Sequence, residues 1–577
     1  MSLLTLVFDC VQTLQVFDAC VKLVAVDRRR VAMATASRLF VRNSTGLVRS
    51  ASAVDATIFN AVISAPVGST IAYSIFFALV AFPGADVAAV IILVAAINIP
   101  VLIMFALLGA SMPRVGGDYV WVSRVLSPPL ALISNLCMIM GGLLGAAFFA
   151  KFFSVLALGP VLVALGSFAS NNTLISWGTS FGTNNSWILG ASLFMVLLQT
   201  LILIRGTKAT FRWQNYSFLI AMAGTLIAFV VLLIGSQTDF FSHFNTLNRS
   251  FGGGTVAQVI AKGGGASAAP NFGNLSATLP TLFSIQGFMM WNFWSVYMSG
   301  ELKSASNRRR QLSVMFGALS WDTVLLVIGV LLLFRIAGYN FVYALNNSAL
   351  VGAGAHPVYA IPSGPFYPFL AALVFNTPIL TILIMGSFLF WSLPSMIANT
   401  FMPIRSFFAW SFDRLMPESL ANVNERTHSP VNAIIVTNVI IAALVIWSVY
   451  GNQFQLVLGL IVLAGALAVI IVGLAAIALP IRRPDLYQAS PANVKFLGIP
   501  VLWIVGPLSI AEFIYIIWIS FQYPALVMTG NPADAWWIWA WLGGLIIGGA
   551  LLYYIPRFIR AQQGVNIGFV YKELPPE

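Results

Sequence analysis

The chain has 577 residues, 59% of them hydrophobic and only 8% charged, with a formal net charge of +12. Soluble domains are about a quarter charged, so this composition excludes a soluble enzyme or binding module and points to a chain that meets lipid. A positive balance in a soluble protein suggests nucleic acid, but here the basic residues sit beside apolar runs, where membrane topology and anionic headgroups account for them, so no nucleic-acid partner is expected.

Residues 1–50 read as a cytoplasmic N-terminal segment. Asp9, Asp18 and Lys22 interrupt its apolar run, and no small-residue cleavage site precedes Arg28–Arg30, so it is neither a span nor a cleavable signal. It is either an amphipathic interfacial helix or a start extended upstream of Met33, the reading we slightly favour. Apolar stretches then predict twelve transmembrane helices, at 56–82, 86–111, 125–150, 186–204, 214–235, 279–299, 312–334, 369–398, 431–449, 453–479, 498–521 and 535–556. Each is long enough to cross a hydrocarbon core of about 30 Å. Of the 29 Lys and Arg, all but Lys151, Arg249, Lys262 and Arg335 fall in alternate gaps. Because Lys and Arg are retained on the cytoplasmic side, this sorting places both termini in the cytoplasm, in a plasma or cytoplasmic membrane. Segments 151–185, 236–278 and 337–368 then face outward as flexible covers or short surface helices. His243, His356 and His428 lie in separate loops, and Cys10, Cys20 and Cys137 stand apart, so no metal site, disulfide framework or cofactor is expected.

Within hydrocarbon, a broken helix is tolerated only where it lines a cavity or is buried in protein. The first span carries Asn60-Ala-Val-Ile-Ser64-Ala-Pro66-Val-Gly68-Ser69-Thr70. Pro66 removes a helix donor, Gly68 tolerates unusual dihedrals, and the freed amides of a half-helix can receive an anionic group such as an amino-acid carboxylate. The sixth span offers Asn292, Trp294 and Ser295 within Trp291-Asn-Phe-Trp-Ser-Val-Tyr297, although no Gly or Pro between Phe288 and Ser299 marks a break. The eighth span carries Pro378, Pro394, Ser395 and Asn399. Asp322 and Glu512 are ionisable groups inside spans, which default to functional hypotheses. Asp322, near the cytoplasmic basic cluster, reads more readily as structural, and Glu512 as a packing or dimer contact.

Three loops carry a family resemblance: Met112-Pro-Arg114-Val-Gly116-Gly117-Asp118-Tyr119 after the second span, Ser299-Gly-Glu301-Leu-Lys303 through Arg308–Arg310 after the sixth, and Arg405 through Asp413-Arg-Leu-Met-Pro417 to Asn432 after the eighth. In sequence and order they resemble the amino acid–polyamine–organocation superfamily of amino acid permeases, over roughly residues 50–480. The resemblance implies an inverted repeat of spans one to five and six to ten, a core at 51–480, with spans one and six discontinuous. Two peripheral helices and a short tail occupy 481–577. It implies substrate contacts around Ser64, Pro66, Gly68, Ser69 and Thr70 and around Asn292, Trp294 and Ser295. Arg114 with Glu301 or Asp413 is expected to form an inner gate in the outward-facing state. A coupling-ion position is expected near Ser395 and Asn399, with Asp322 a further candidate. Some proton-coupled relatives use a lysine in the fifth span, which residues 213–235 lack. H+ by another carrier, Na+ and plain exchange all remain open.

The expected function is alternating-access secondary transport of an amino acid or related amine, not an enzyme activity. The alternatives are an exchanger or facilitator without ion coupling and, of another class, a transporter-like membrane sensor. A channel would need a ring of like charges or a repeated filter, and an enzyme a clustered catalytic set; the sequence offers neither.

Overall fold

The computed structural model describes residues 49–63, 71, 76–264, 270–350, 358–451, 454–523 and 536–572. They all belong to one body spanning Thr45–Pro575. The chain arrives through a parallel bridge between Ala51 and Leu302. Helix α1 (Ala53–Val62) begins at a capping box in which the Ser52 side chain accepts from the Asp55 amide and Asp55 accepts from the Ser52 amide. That satisfies two of the donors a helix start leaves open.

After α2 (Phe76–Ala81), α3 (Val87–Ser111) starts at an Asp86 cap, and a turn at Gly116 and Gly117 leads into α4 (Asp118–Val125). Helix α5 (Pro128–Phe168) contains a π-helical stretch over Phe153–Leu158. Asn171 and Asn184 cap α6 (Asn172–Thr183) and α7 (Asn185–Ile204), and α8 (Thr207–Ile234), α9 (Gln237–Ser250) and α10 (Val256–Lys262) follow. Helix α11 (Leu275–Met289) stops inside its apolar run, and after turns at 290–293 the chain forms one 3-10 stretch, Trp294–Met298. Next come α12 (Arg308–Ala337), α13 (Tyr339–Leu350), α14 (Tyr367–Leu373), α15 (Pro378–Phe412), α16 (Val431–Tyr450), α17 (Phe454–Arg482) and α18 (Pro484–Ala489). A short antiparallel hairpin, β1 (Lys495–Phe496) with β2 (Ile499–Pro500), precedes α19 (Leu502–Gln522) and α20 (Trp536–Gln562), and a 3-10 stretch at Ile567–Lys572 follows.

Among the described residues, 10 helices are long and apolar enough to cross a membrane: α3, α5, α7, α8, α12, α15, α16, α17, α19 and α20. The first and sixth expected spans are not among them, since α1 and α11 are short. Polar side chains within the long helices turn inward among a mostly apolar core, and the outer face is apolar. On α8, Gln214, Ser217 and Thr225 are buried while Leu219, Leu226, Val230 and Leu233 are exposed, the reverse of a soluble helix and the pattern expected against lipid tails.

Helix α5 packs against α4, α15, α16, α17 and α20. Its Gly142 and Gly145 let α15 approach closely, because a Cβ at either would overlap Asn399. The eighth span differs from its expected course. It divides into α14 and α15 around Asn376, which has φ 47°, so Pro378 opens a helix instead of kinking one. Helix α15 then runs past the expected end at 398 to Phe412, because Arg405 finds a carboxylate partner inside the protein. The expected outer segments hold α6, α9, α10 and α13, the surface-helix form of the two anticipated.

Candidate functional site

Three carbonyls at the end of α1 accept from side chains distant in the chain. Asn292 Nδ2 donates to the Asn60 carbonyl (3.4 Å), the Ser395 hydroxyl to that of Val62 (2.5 Å), and Asn399 Nδ2 to that of Ile63 (2.9 Å). Asn60 reaches back. Its Nδ2 donates to the Ser295 hydroxyl (3.0 Å) and its Oδ1 accepts from the Ser295 amide (2.8 Å). The end of α1 is thereby fastened to the chain just beyond α11 and to the middle of α15.

Asn292 Nδ2 also donates to Asp322 Oδ2 on α12 at 2.7 Å. All these side chains are buried, yet three polar atoms here have no hydrogen-bond partner among the described residues: Oδ1 of Asn292, Oδ1 of Asp322 and Nε1 of Trp294. Such atoms cost about 1–3 kcal/mol each when left unpaired, and the bond between Asn292 and Asp322 brings two of them to the same place. The Trp294 ring packs on Trp291 and Tyr297, with centroids at 4.9 and 5.4 Å.

Ser64, Pro66, Gly68, Ser69 and Thr70 lie outside the described residues. Of the other candidates, Asn292, Ser295 and Asp322 come together at the break after α11, and Ser395 and Asn399 meet the end of α1. Asn60 was not singled out from sequence, although it is the polar residue one helical turn before Ser64 in an otherwise apolar helix. A separate cavity of 580 Å³, lined by Ser167, Asn172, Thr246, Phe369, Asn376 and Met385 among others, lies at the opposite end of α15 from Arg405.

The loop acids form two buried ion pairs. Glu301 is held by Arg405, through Nε and through Nη2 at 3.0 Å, and by the Thr207 hydroxyl. The Arg405 guanidinium lies 4.1 Å from the Phe401 ring centroid. Backbone bonds on either side of Glu301 tie it to the approach to α1, with the Ala51 amide on the Glu301 carbonyl and the Lys303 amide on the Ala51 carbonyl, both 3.0 Å. Asp413 is paired with Arg124 at 3.3 Å and accepts from the Tyr119 hydroxyl at 2.7 Å. Tyr571 packs beside them, its hydroxyl 3.3 Å from that of Tyr119. Both acids foreseen for a gate are thus paired, Glu301 with Arg405 and Asp413 with Arg124, and Arg114 is half-buried. Arg405 reads in sequence as a residue of the loop after the eighth span, so its pairing with Glu301 is not foreseen there.

Asp118 forms a third polar centre. Gly116 and Gly117 have φ of 101° and 50°, values that favour glycine, and they turn the chain so that Asp118 faces inward. Its carboxylate accepts from Ser134 (2.5 Å), Asn135 (2.7 Å) and the Tyr297 hydroxyl (2.8 Å). Burial outweighs these donors and pushes the carboxyl up to about 6. Burial likewise raises the Tyr119 and Tyr571 phenols, helped by the negative charge of Asp413.

The sequence model of the family described as amino acid permease matches residues 55–551. No curated protein matches the chain. The match covers most of the sequence, and the chain belongs to the amino acid permease family.

Proposed function

Starting from an amino acid permease, a multi-pass membrane transporter, we propose alternating-access secondary transport of an amino acid or related amine across the plasma or cytoplasmic membrane. The observation that carries the reading is the group of unpaired buried atoms at the break after α11. Oδ1 of Asn292 and Oδ1 of Asp322 are acceptors suited to a substrate ammonium, and the Trp294 indole N–H is a donor suited to a carboxylate. The sequence of Ser64–Thr70, with Pro66 and Gly68 inside an apolar run, supports assigning the other half of the site to that segment.

In the proposed topology α1 and α11 belong to discontinuous first and sixth spans. Together with the ten long helices they make twelve, with both termini in the cytoplasm. The first ten spans form the inverted repeat, and α19 and α20 stand outside it. The Glu301–Arg405 and Asp413–Arg124 pairs then lie on the cytoplasmic side and close it, with Arg114 in the same gate.

A driving cation, H+ or Na+, fits the reading. Ser395 and Asn399 now donate to the Val62 and Ile63 carbonyls; a sodium ion bound there takes those oxygens and displaces the donors. Counterflow in proteoliposomes tests the transport reading: exchange of one class of labelled amino acid or amine supports it, and no exchange of any, in folded protein, refutes it.

A further inference from the structure

Glu512 sits in the middle of α19, within Leu508-Ser-Ile-Ala-Glu512-Phe-Ile-Tyr-Ile-Ile. Its Oε1 accepts a 2.7 Å hydrogen bond from Gln286 Nε2 on α11, while Oε2 is buried and has no partner among the described residues. Gln286 is clasped in turn by Asn98 of α3. Asn98 Nδ2 donates to Gln286 Oε1 at 2.9 Å, and Gln286 Nε2 donates to Asn98 Oδ1 at 3.1 Å. Gln286 belongs to the last turn of α11, since the Met290 amide closes on its carbonyl at 3.1 Å. The break begins immediately after it.

Among the described residues, no cation faces this carboxyl from the elements packed most closely around it. Helices α3, α11 and α17 pack against α19, and β2 precedes it. Neither α3, α11 nor β2 contains a titratable residue, and α17 has only Arg482, exposed at its last position. On α19 itself the other titratable side chain is the phenol of Tyr515. A carboxylate without a counter-ion at membrane depth is costly, and a contact needed for packing alone is met by Leu or Met at no such cost.

We propose that Glu512 is a proton-binding site coupled to the broken sixth span through Gln286, so that a proton accompanies the substrate; this rests on the transport reading above. Oε2 takes up H+, giving the neutral acid with its bond from Gln286 intact. Release of that proton leaves an anion whose bond to Gln286 becomes charge-assisted and which needs water around it. Uptake and release are therefore tied to the position of the last turn of α11, which leads directly to Asn292 and Ser295.

The test uses the full chain in proteoliposomes, with an imposed pH gradient and a trapped pH-sensitive dye, applied to wild type, Glu512→Gln and Gln286→Met. For one proton per substrate, each unit of pH gradient, acid outside, raises wild-type accumulation of the best counterflow amino acid about tenfold, and the dye reports proton entry with it. Glu512→Gln loses the gradient dependence and the proton signal while still exchanging substrate. Gln286→Met keeps the carboxyl but loses the coupling, and carries the test alone if Glu512→Gln does not fold. Wild-type exchange that ignores the pH gradient, or undiminished accumulation in either folded variant, overturns the proposal. Absence of all wild-type exchange overturns the transport reading instead.

Discussion

Removing the Glu301–Arg405 pair tests whether it is a gate or a strut. Arg405→Met leaves Glu301 buried with only the Thr207 hydroxyl and backbone around it. Two unit charges about 4 Å apart at an effective dielectric of about 20 attract by about 4 kcal/mol, and breaking one partner of a buried pair costs about 3–5 kcal/mol. If the pair exists only in the state closed to the cytoplasm, the whole cost falls on that state. The equilibrium then moves toward the open state by two to three powers of ten, at about 1.4 kcal/mol per power. The readout is labelling of Ser299→Cys, a buried position beside Glu301, by an impermeant maleimide from the Glu301 side, with the three native cysteines replaced. The expected result is labelling at least about tenfold faster in Arg405→Met. The double variant Glu301→Gln/Arg405→Met, which leaves no stranded charge, should label as fast without loss of thermal stability. Unchanged labelling accompanied by a lower melting temperature refutes the gating argument and makes the pair a strut.

Three further outcomes follow from the site. Asp118 stands at about 6 in the folded protein against 3.8 in an unstructured chain, so between those values the folded state binds a proton that the unfolded one does not. Stability should rise as pH falls through 6 and level off below 3.8, by up to about 3 kcal/mol; an Asp118→Asn protein whose melting temperature keeps the wild-type pH slope would contradict this. Asn399→Ala removes the Nδ2 donor to the Ile63 carbonyl and should cost about 1–3 kcal/mol in detergent unfolding. Because a sodium ion at those carbonyls displaces the Asn399 donor, the same variant should keep or strengthen any stabilisation that sodium confers on wild type, and loss of that stabilisation would contradict the displacement. Gly117→Ala puts a Cβ 2.7 Å from the Tyr297 ring at a φ of 50° and should destabilise by more than about 2 kcal/mol; wild-type stability by thermal scan would mean that the turn is not held as described.

The membrane-spanning character and the places of the long helices were legible because hydropathy and charge sorting are properties of the chain alone. Pro66 and Gly68, which suggest a break in the first span, lie outside the described residues. The break in the sixth has no such signal. No residue from Phe288 to Ser299 forbids a helix, and what accompanies the interruption is a set of long-range bonds from Asn60 and Asp322 to Asn292 and Ser295. Asp322 read as a side chain wetted from the basic loop, yet it is 1% exposed and bonded into that set. Glu301 and Asp413 were visible as loop acids, whereas their arginines could be assigned only once α15 was seen to carry Arg405 inward. The carboxyl of Glu512, legible as an oddity in an apolar helix, gained meaning only from Gln286 across the interface.

Substrate exchange is the most direct measure of the central claim. Proteoliposomes loaded with each of the twenty amino acids or a polyamine, and diluted into a labelled trace of the same compound, should show transient saturable counterflow for one chemical class. That counterflow should be reduced at least about tenfold in Asn292→Leu, in keeping with the loss of one or more buried hydrogen bonds. Counterflow of no compound, from protein shown to be folded by a cooperative thermal transition, would contradict the account.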